Sequence, residues 1–264
     1  MKTMTRYIKL YIHFVQNCIT RELLFRTHFI LSFSSRLMMF LLYVVFYQVI
    51  YQNAVAIGTL SYDQGLLYLS VFFLIDTIGF MFFIKNFSTF PEYISEGKLD
   101  IILTKPVDSQ FFVSLRYFSL ISLFSVLPPL ILFVRQLIVL DVVLTPVNII
   151  LFLIFLTASL AIYYSFWFIT NLILFWINRI DALHEFFVTL WRFMQFPPDI
   201  FQGLLRFFFV GIVPILFAIH VPTQAIQHLF DLKAITALLV ASIFSLLISR
   251  ILWKIGLRHY QSTG

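Results

Sequence analysis

Between Val147 and Ile177 the chain carries no Asp, Glu, Lys or Arg, and this is one of several apolar runs of membrane length. A helix needs about 20 apolar residues to cross a bilayer. Inside the bilayer every backbone N–H and C=O must find its partner within the protein. Runs this long and unbroken do not match the short alternating strands of an outer-membrane barrel. The chain therefore reads as an all-α integral membrane protein, and its length leaves room for about six transmembrane helices. Composition excludes a water-soluble core: 61% of the 264 residues are hydrophobic and 11% charged, with a mean hydropathy of +0.97. Soluble domains hold about 25% charged residues.

Before the first run, Tyr7, Ile8, Tyr11, Phe14, Val15, Cys18 and Ile19 recur at helical spacing, with Arg6, Lys9, His13, Gln16 and Thr20 between them. That pattern predicts an amphipathic interfacial helix over residues 1–28, ahead of a membrane domain over 29–264. The alternative is a wet start to the first span. The first 27 residues lack the unbroken apolar stretch of a cleavable signal peptide. Spans are expected near Phe29–Tyr51, Gly65–Ile84, Phe111–Val134, Val147 into the Phe166–Ile177 region, and Ala234–Ile255. Pro128 and Pro129 are expected to kink or end the third.

The segment from Asp181 to Pro222 is apolar but broken by Pro197, Pro198, Pro214 and Pro222. One reading gives a polar-studded fifth span near Asp181–Phe196, then a re-entrant region over 197–222. The other makes Phe207–Ile219 the fifth span. Irregular backbone at membrane depth needs cover from protein or water, and the re-entrant reading is preferred.

Lys2, Arg6, Lys9, Arg21, Arg26, Lys85, Lys98, Lys105, Arg179, Lys254 and Arg258 fall on one side of this topology, with few cations such as Arg135 and Lys233 opposite. The positive-inside rule makes that side cytoplasmic and puts both termini there. The net charge of +6 is then a topological signal, and no nucleic-acid partner is expected. One cysteine, Cys18, excludes an intramolecular disulfide. GxxxxGK[ST], HExxH and GxSxG are all absent, and no two His stand at metal-ligand spacing. No catalytic residue, cofactor or metal site is expected in this chain.

Asp76 lies mid-span in "SVFFLIDTIGFMFF", where a charge costs roughly 2.5–3.5 kcal/mol on insertion scales. Arg36 in the first span is a candidate partner, although it is near enough to the span's end to snorkel. Asp76 either lines a pathway, holds subunits in register, or forms a buried structural pair. Asp181, His184, Glu185 and Arg192 read as structural polar groups.

The polar segment 85–110 is patterned. Pro91 suits a first helical turn and Gly97 a helical stop. Leu99, Ile102 and Leu103 then recur at helical spacing opposite Lys98 and Asp100, up to Pro106. The pattern predicts two short helical pieces with an apolar ridge. By pattern alone it is an interfacial connector.

"SEGKLDIILTKPVDSQF" carries the further pattern G-x-L-D-x-x-L-x-x-P-V through Gly97, Leu99, Asp100, Leu103, Pro106 and Val107. It resembles the segment after the second span in bacterial type-2 ABC transporter permeases, with Lys105 where Arg is common. The tail, through Gly256, Arg258, Tyr260, Gln261 and Ser262, resembles the same subfamily. So does the proline-rich stretch from Phe196 to Pro222, a region that forms short re-entrant helices in that family.

The resemblance implies the permease subunit of an exporter in the bacterial inner membrane, working with a second copy or a paralogous permease. Separate ATPase subunits would use the ATP. It implies ATPase coupling through Glu96, Gly97, Lys98, Leu99, Asp100, Leu103 and Pro106. Aspartate at Leu99 or Leu103 is then expected to uncouple without unfolding the spans. The competing classes are a stand-alone secondary transporter or channel, using Arg36 and Asp76, and a membrane scaffold.

Overall fold

The computed structural model describes residues 2–53, 60–177, 181–197, 200, 203 and 215–260. Among them the regular elements are helices: α1 (Lys2–Leu24), α2 (Arg26–Asn53), α3 (Tyr62–Gly79), α4 (Lys85–Ser88), α5 (Phe90–Ser95), α6 (Lys98–Leu103), α7 (Ser109–Leu115), α8 (Leu120–Ser125), α9 (Leu127–Val139), α10 (Pro146–Leu172), α11 (Asp181–Phe193), α12 (Ile215–Ile226) and α13 (Leu232–His259).

Among the described residues, five helical stretches are long and apolar enough to cross a membrane: Arg26–Gln52, Tyr62–Ser95, Leu120–Val139, Pro146–Phe175 and Leu232–His259. Of the expected six or so, five are seen at that length among the described residues. The segment from Asp181 to Phe196 yields only the 13-residue α11, about 20 Å long. The re-entrant region over 197–222 and the alternative span at Phe207–Ile219 lie largely outside the described residues. Where the chain is described again, α12 runs through Pro222 to Ile226 and packs on α10 and α3.

The second stretch is one helical run of 34 residues, about 51 Å long, so it outreaches a hydrocarbon layer of about 30 Å. It passes through a π turn at Phe80–Ile84. A Cβ at Gly79, just before that turn, would overlap the Tyr163 ring of α10.

The third span is broken. Residues 116–119 leave the helix between α7 and α8. Pro128 and Pro129 fall in the first turn of α9, which continues to Val139. They open a helix here, where a missing N–H costs nothing, instead of ending one.

The orphan backbone groups at the break are held by neighbours. Asn86 is fully buried; its side chain accepts from the Tyr117 N–H (2.7 Å) and donates to the Tyr117 carbonyl (2.9 Å). The Met81 carbonyl in the π turn accepts from the Ser119 N–H (3.0 Å). From α1, the buried Glu22 carboxylate accepts from the Leu120 and Ile121 N–H groups (2.9 and 3.2 Å), and Cys18 Sγ accepts from Phe118 N–H (3.5 Å). A negative charge is favourable at the N-terminus of α8. Lys85 lies 3.7 Å from the same carboxylate.

The bundle has two distinguishable ends. At one, α1, α5–α7, the end of α10 and the end of α13 meet; Phe175 lies 5.8 Å from Trp253, and Trp176 5.7 Å from His259. At the other, His228 after α12 reaches Asn148 at the start of α10 and the Val143 carbonyl.

Candidate functional site

Two features stand out: a tied junction at the first end, and a cavity within the bundle. The junction is built on the 96–112 segment. α5 opens with Pro91 in its first turn, and the chain turns at Gly97 with φ +66° before α6. Glycine takes that left-handed backbone without the strain a Cβ would add.

The apolar ridge expected on α6 is split. Leu99 is 0% exposed and Ile102 3%, both in the main core, whereas Ile101 is 64% exposed and Leu103 41%. Leu99 is therefore a packing residue, and aspartate there would bury a charge in the core. Glu96 and Lys98 pair across Gly97 at 2.6 Å, both about half exposed. The Glu96 hydrogen bond and charge hold the Lys98 ammonium above its ordinary pKa. Pro106 is exposed, and its carbonyl accepts from Arg6 of α1 (2.9 Å).

Asp108 is the hub. Its carboxylate caps α7 by accepting from the Phe111 N–H (2.9 Å), and its own N–H donates to the Tyr7 hydroxyl (3.0 Å). Arg250 of α13 grips it with both guanidinium arms (3.1 and 2.5 Å) and donates a further bond to Gln110 (2.9 Å). Burial pushes the Asp108 carboxyl up, but the Arg250 and Phe111 hydrogen bonds and the Arg250 charge outweigh it and hold it below the usual carboxylate range. Gln110 in turn donates to Tyr164 of α10 (3.0 Å), and Trp253 donates to Ser109 (3.2 Å).

The two sequence signatures meet here. Burial and the nearby Asp100 carboxylate raise the pKa of the Tyr260 phenol. A Cβ at Gly256 would overlap the Phe175 ring. Gln261 and Ser262 lie outside the described residues.

The junction residues that sequence reasoning missed are Tyr7, Asp108, Gln110 and Arg250. One signal was legible: Asp108 followed by Ser-Gln-Phe is a helix N-cap pattern. Glu22 was also missed; a lone acid on an otherwise basic helix was its signal.

Asp76 and Arg36 both line a cavity of about 590 Å³ between α2, α3, α8, α9, α10 and α11. They are not a close ion pair. The Asp76 carboxylate accepts from the Trp191 indole N–H (2.8 Å), and the Arg36 guanidinium sits over the Phe80 ring at 4.4 Å. Trp191 anchors α11 in the bundle: its ring meets Tyr163 at 4.7 Å and Phe72 at 6.0 Å. Arg192, beside it, is exposed and lines the same cavity. Glu185 is exposed, and the side chains of Asp181 and His184 lie outside the described residues. Among the described residues, no three His, Cys, Asp or Glu converge to hold a metal ion.

The model of the ABC-2 family transporter proteins matches residues 37–264. Comparisons with curated proteins and with solved structures give no match. The match spans the cavity's Asp76, the 96–112 junction and the tail. A multi-pass helical chain so matched belongs to the ABC-2 family of transporter membrane proteins.

Proposed function

We propose that this chain is the permease subunit of an ATP-driven exporter, and that a separate ATPase subunit docks on the outer edge of the junction. One observation carries the reading. Ile101 and Leu103 stand exposed beside Glu96, Lys98, Lys105 and Pro106, on a segment whose other face is core and whose ends are tied to α1 and α13. A load applied to that edge reaches α1 and α13 and, through Gln110, α10. ATP can shift the permease only if the docked contacts differ between its states, and a rooted edge transmits such a difference. ATP binding belongs to the partner, and this chain needs no cofactor of its own.

Six crossings of a bacterial inner membrane fit this role. The end of α10 lies at the junction and the end of α12 at the opposite end, which supports one further crossing between them. Tyr47 and Tyr68, towards the far end, donate to the Gln195 and Met194 carbonyls, which makes α11 the candidate fifth crossing. Ser159 donates to the Ala218 carbonyl, which supports a re-entrant return before α12. Arg6, Lys98, Lys105, Lys254 and Arg258 gather near the junction, and this bias supports a cytoplasmic junction with both termini inside. A second permease copy or a paralogue would complete the pathway; only 6% of the apolar window of α2 is buried by this chain.

The test is co-purification. The native protein should bring down an ATPase subunit, and Ile101→Asp with Leu103→Asp should abolish that while leaving the melting temperature unchanged. A protein that purifies alone and moves substrate down an ion gradient would overturn the reading.

A further inference from the structure

We infer that the cavity between α2, α3 and α11 is a binding site for an anionic amphiphile, a molecule with a carboxylate or phosphate headgroup on an apolar body. The inference rests on the transporter reading above and names the class of molecule the pathway accepts. The cavity's volume of about 590 Å³ falls within the range of small-molecule sites. Its walls are aromatic, with Phe40, Phe73, Phe80, Trp167 and Trp191 among them.

Three charged side chains line it: Arg36, Arg192 and Asp76. Among the described residues neither arginine forms an ion pair, and the one carboxylate is engaged by the Trp191 indole. The lining thus keeps a formal excess of one positive charge. Excess positive charge at membrane depth is costly, and an incoming anion relieves that cost. Guanidinium suits the task, because its planar fork matches a carboxylate or phosphate in two parallel hydrogen bonds.

The apolar body follows from the entrance. Leu31 and Met39 of α2 line the cavity and are 66% and 46% exposed in this chain. Entry beside α2 therefore runs past apolar side chains. A wholly polar anion would not reach it that way, and the aromatic walls would give it nothing to bury against. A lipophilic cation would suit the walls but meet the wrong net charge.

The experiment uses the full chain in nanodiscs of zwitterionic phosphatidylcholine. Quenching of Trp fluorescence by bromostearate is compared with quenching by its methyl ester and by a bromoalkyl trimethylammonium of similar length. The carboxylate probe should bind at least about tenfold more tightly than either. Arg36→Gln and Arg192→Gln should each weaken it by about tenfold, Arg36→Lys should recover part of the loss, and Asp76→Asn should not weaken it. Equal or tighter binding of the ammonium probe to the native protein overturns the proposal, and that comparison needs no variant to fold. Native-strength binding by both arginine-to-glutamine variants overturns it as well.

Repeating the titration with phosphatidylglycerol in the disc separates the sources. Competition identifies a resident bilayer lipid, and unchanged affinity identifies a mobile amphiphile; both support the site. Binding is read without any ATPase, so loss of the permease reading in co-purification would leave this result standing, and the reverse holds too.

Discussion

Leu99 and Leu103 are four residues apart in one six-residue helix, yet they differ in kind. Leu99 has no exposed surface and touches the main core; Leu103 points outward. Truncating a buried leucine removes transfer energy and leaves a cavity, costing about 2–5 kcal/mol. The same change at an exposed position stays within about 0.5 kcal/mol. Leu99→Ala should therefore lower the melting temperature in detergent and reduce yield, while Leu103→Ala should do neither. A flat response at Leu99 would mean that α6 is not rooted as described. The sequence carried the helical spacing of these leucines. It could not say which side faced the core, because a six-residue amphipathic helix is too short for its period to select a face. Asp76 shows the same limit. Its cost in lipid was legible from one letter, but its partner, Trp191, lies 115 residues away.

At the scale of elements, what the chain encodes locally was readable and what it encodes through contacts was not. The joint at Gly97 and the start of α5 at Pro91 follow from backbone chemistry alone. The break at 116–119 carries no proline or glycine. It exists because Glu22, Asn86 and Met81, from two other helices, satisfy its backbone. The Asp108–Arg250 clamp is likewise a contact between distant segments, and its pH dependence has a definite sign. Asp108 has its pKa lowered in the folded protein. Its contribution is fully present above the unfolded value of about 3.9 and is lost as pH falls through the lower folded value. Asp108→Asn keeps the helix cap and removes the charge. The native protein should melt above this variant at neutral pH, and the gap should close only below about pH 4. Because Asp108 is 34% exposed, added salt should narrow the gap as well. A gap that grew with acid would refute the clamp.

For the whole molecule, α1 and α13 both reach one end of the bundle, and the proposed topology turns on that. Arg6 and Tyr7 of α1 bond at Pro106 and Asp108, while Arg250 and Trp253 of α13 bond at Asp108 and Ser109. The proposed topology has the segments between them cross an even number of times; among the described residues, five stretches are long and apolar enough to do so alone. Accessibility to a membrane-impermeant thiol reagent tests this directly. Cys18 is 5% exposed, so the native background is low and single added cysteines report cleanly. Lys98→Cys and Lys254→Cys should label in inside-out vesicles and stay silent in intact cells. Val143→Cys and Phe230→Cys, both exposed and towards the far end, should do the opposite. Lys254 and Phe230 are the decisive pair, because they bracket the last long helix. Val143 marks the far end, from which α10 returns the chain to the junction. If Phe230→Cys labels from the side of Lys98, residues 177–228 return to the junction end, the short α11 is not a crossing, and the bundle has an odd path that its tied ends cannot accommodate.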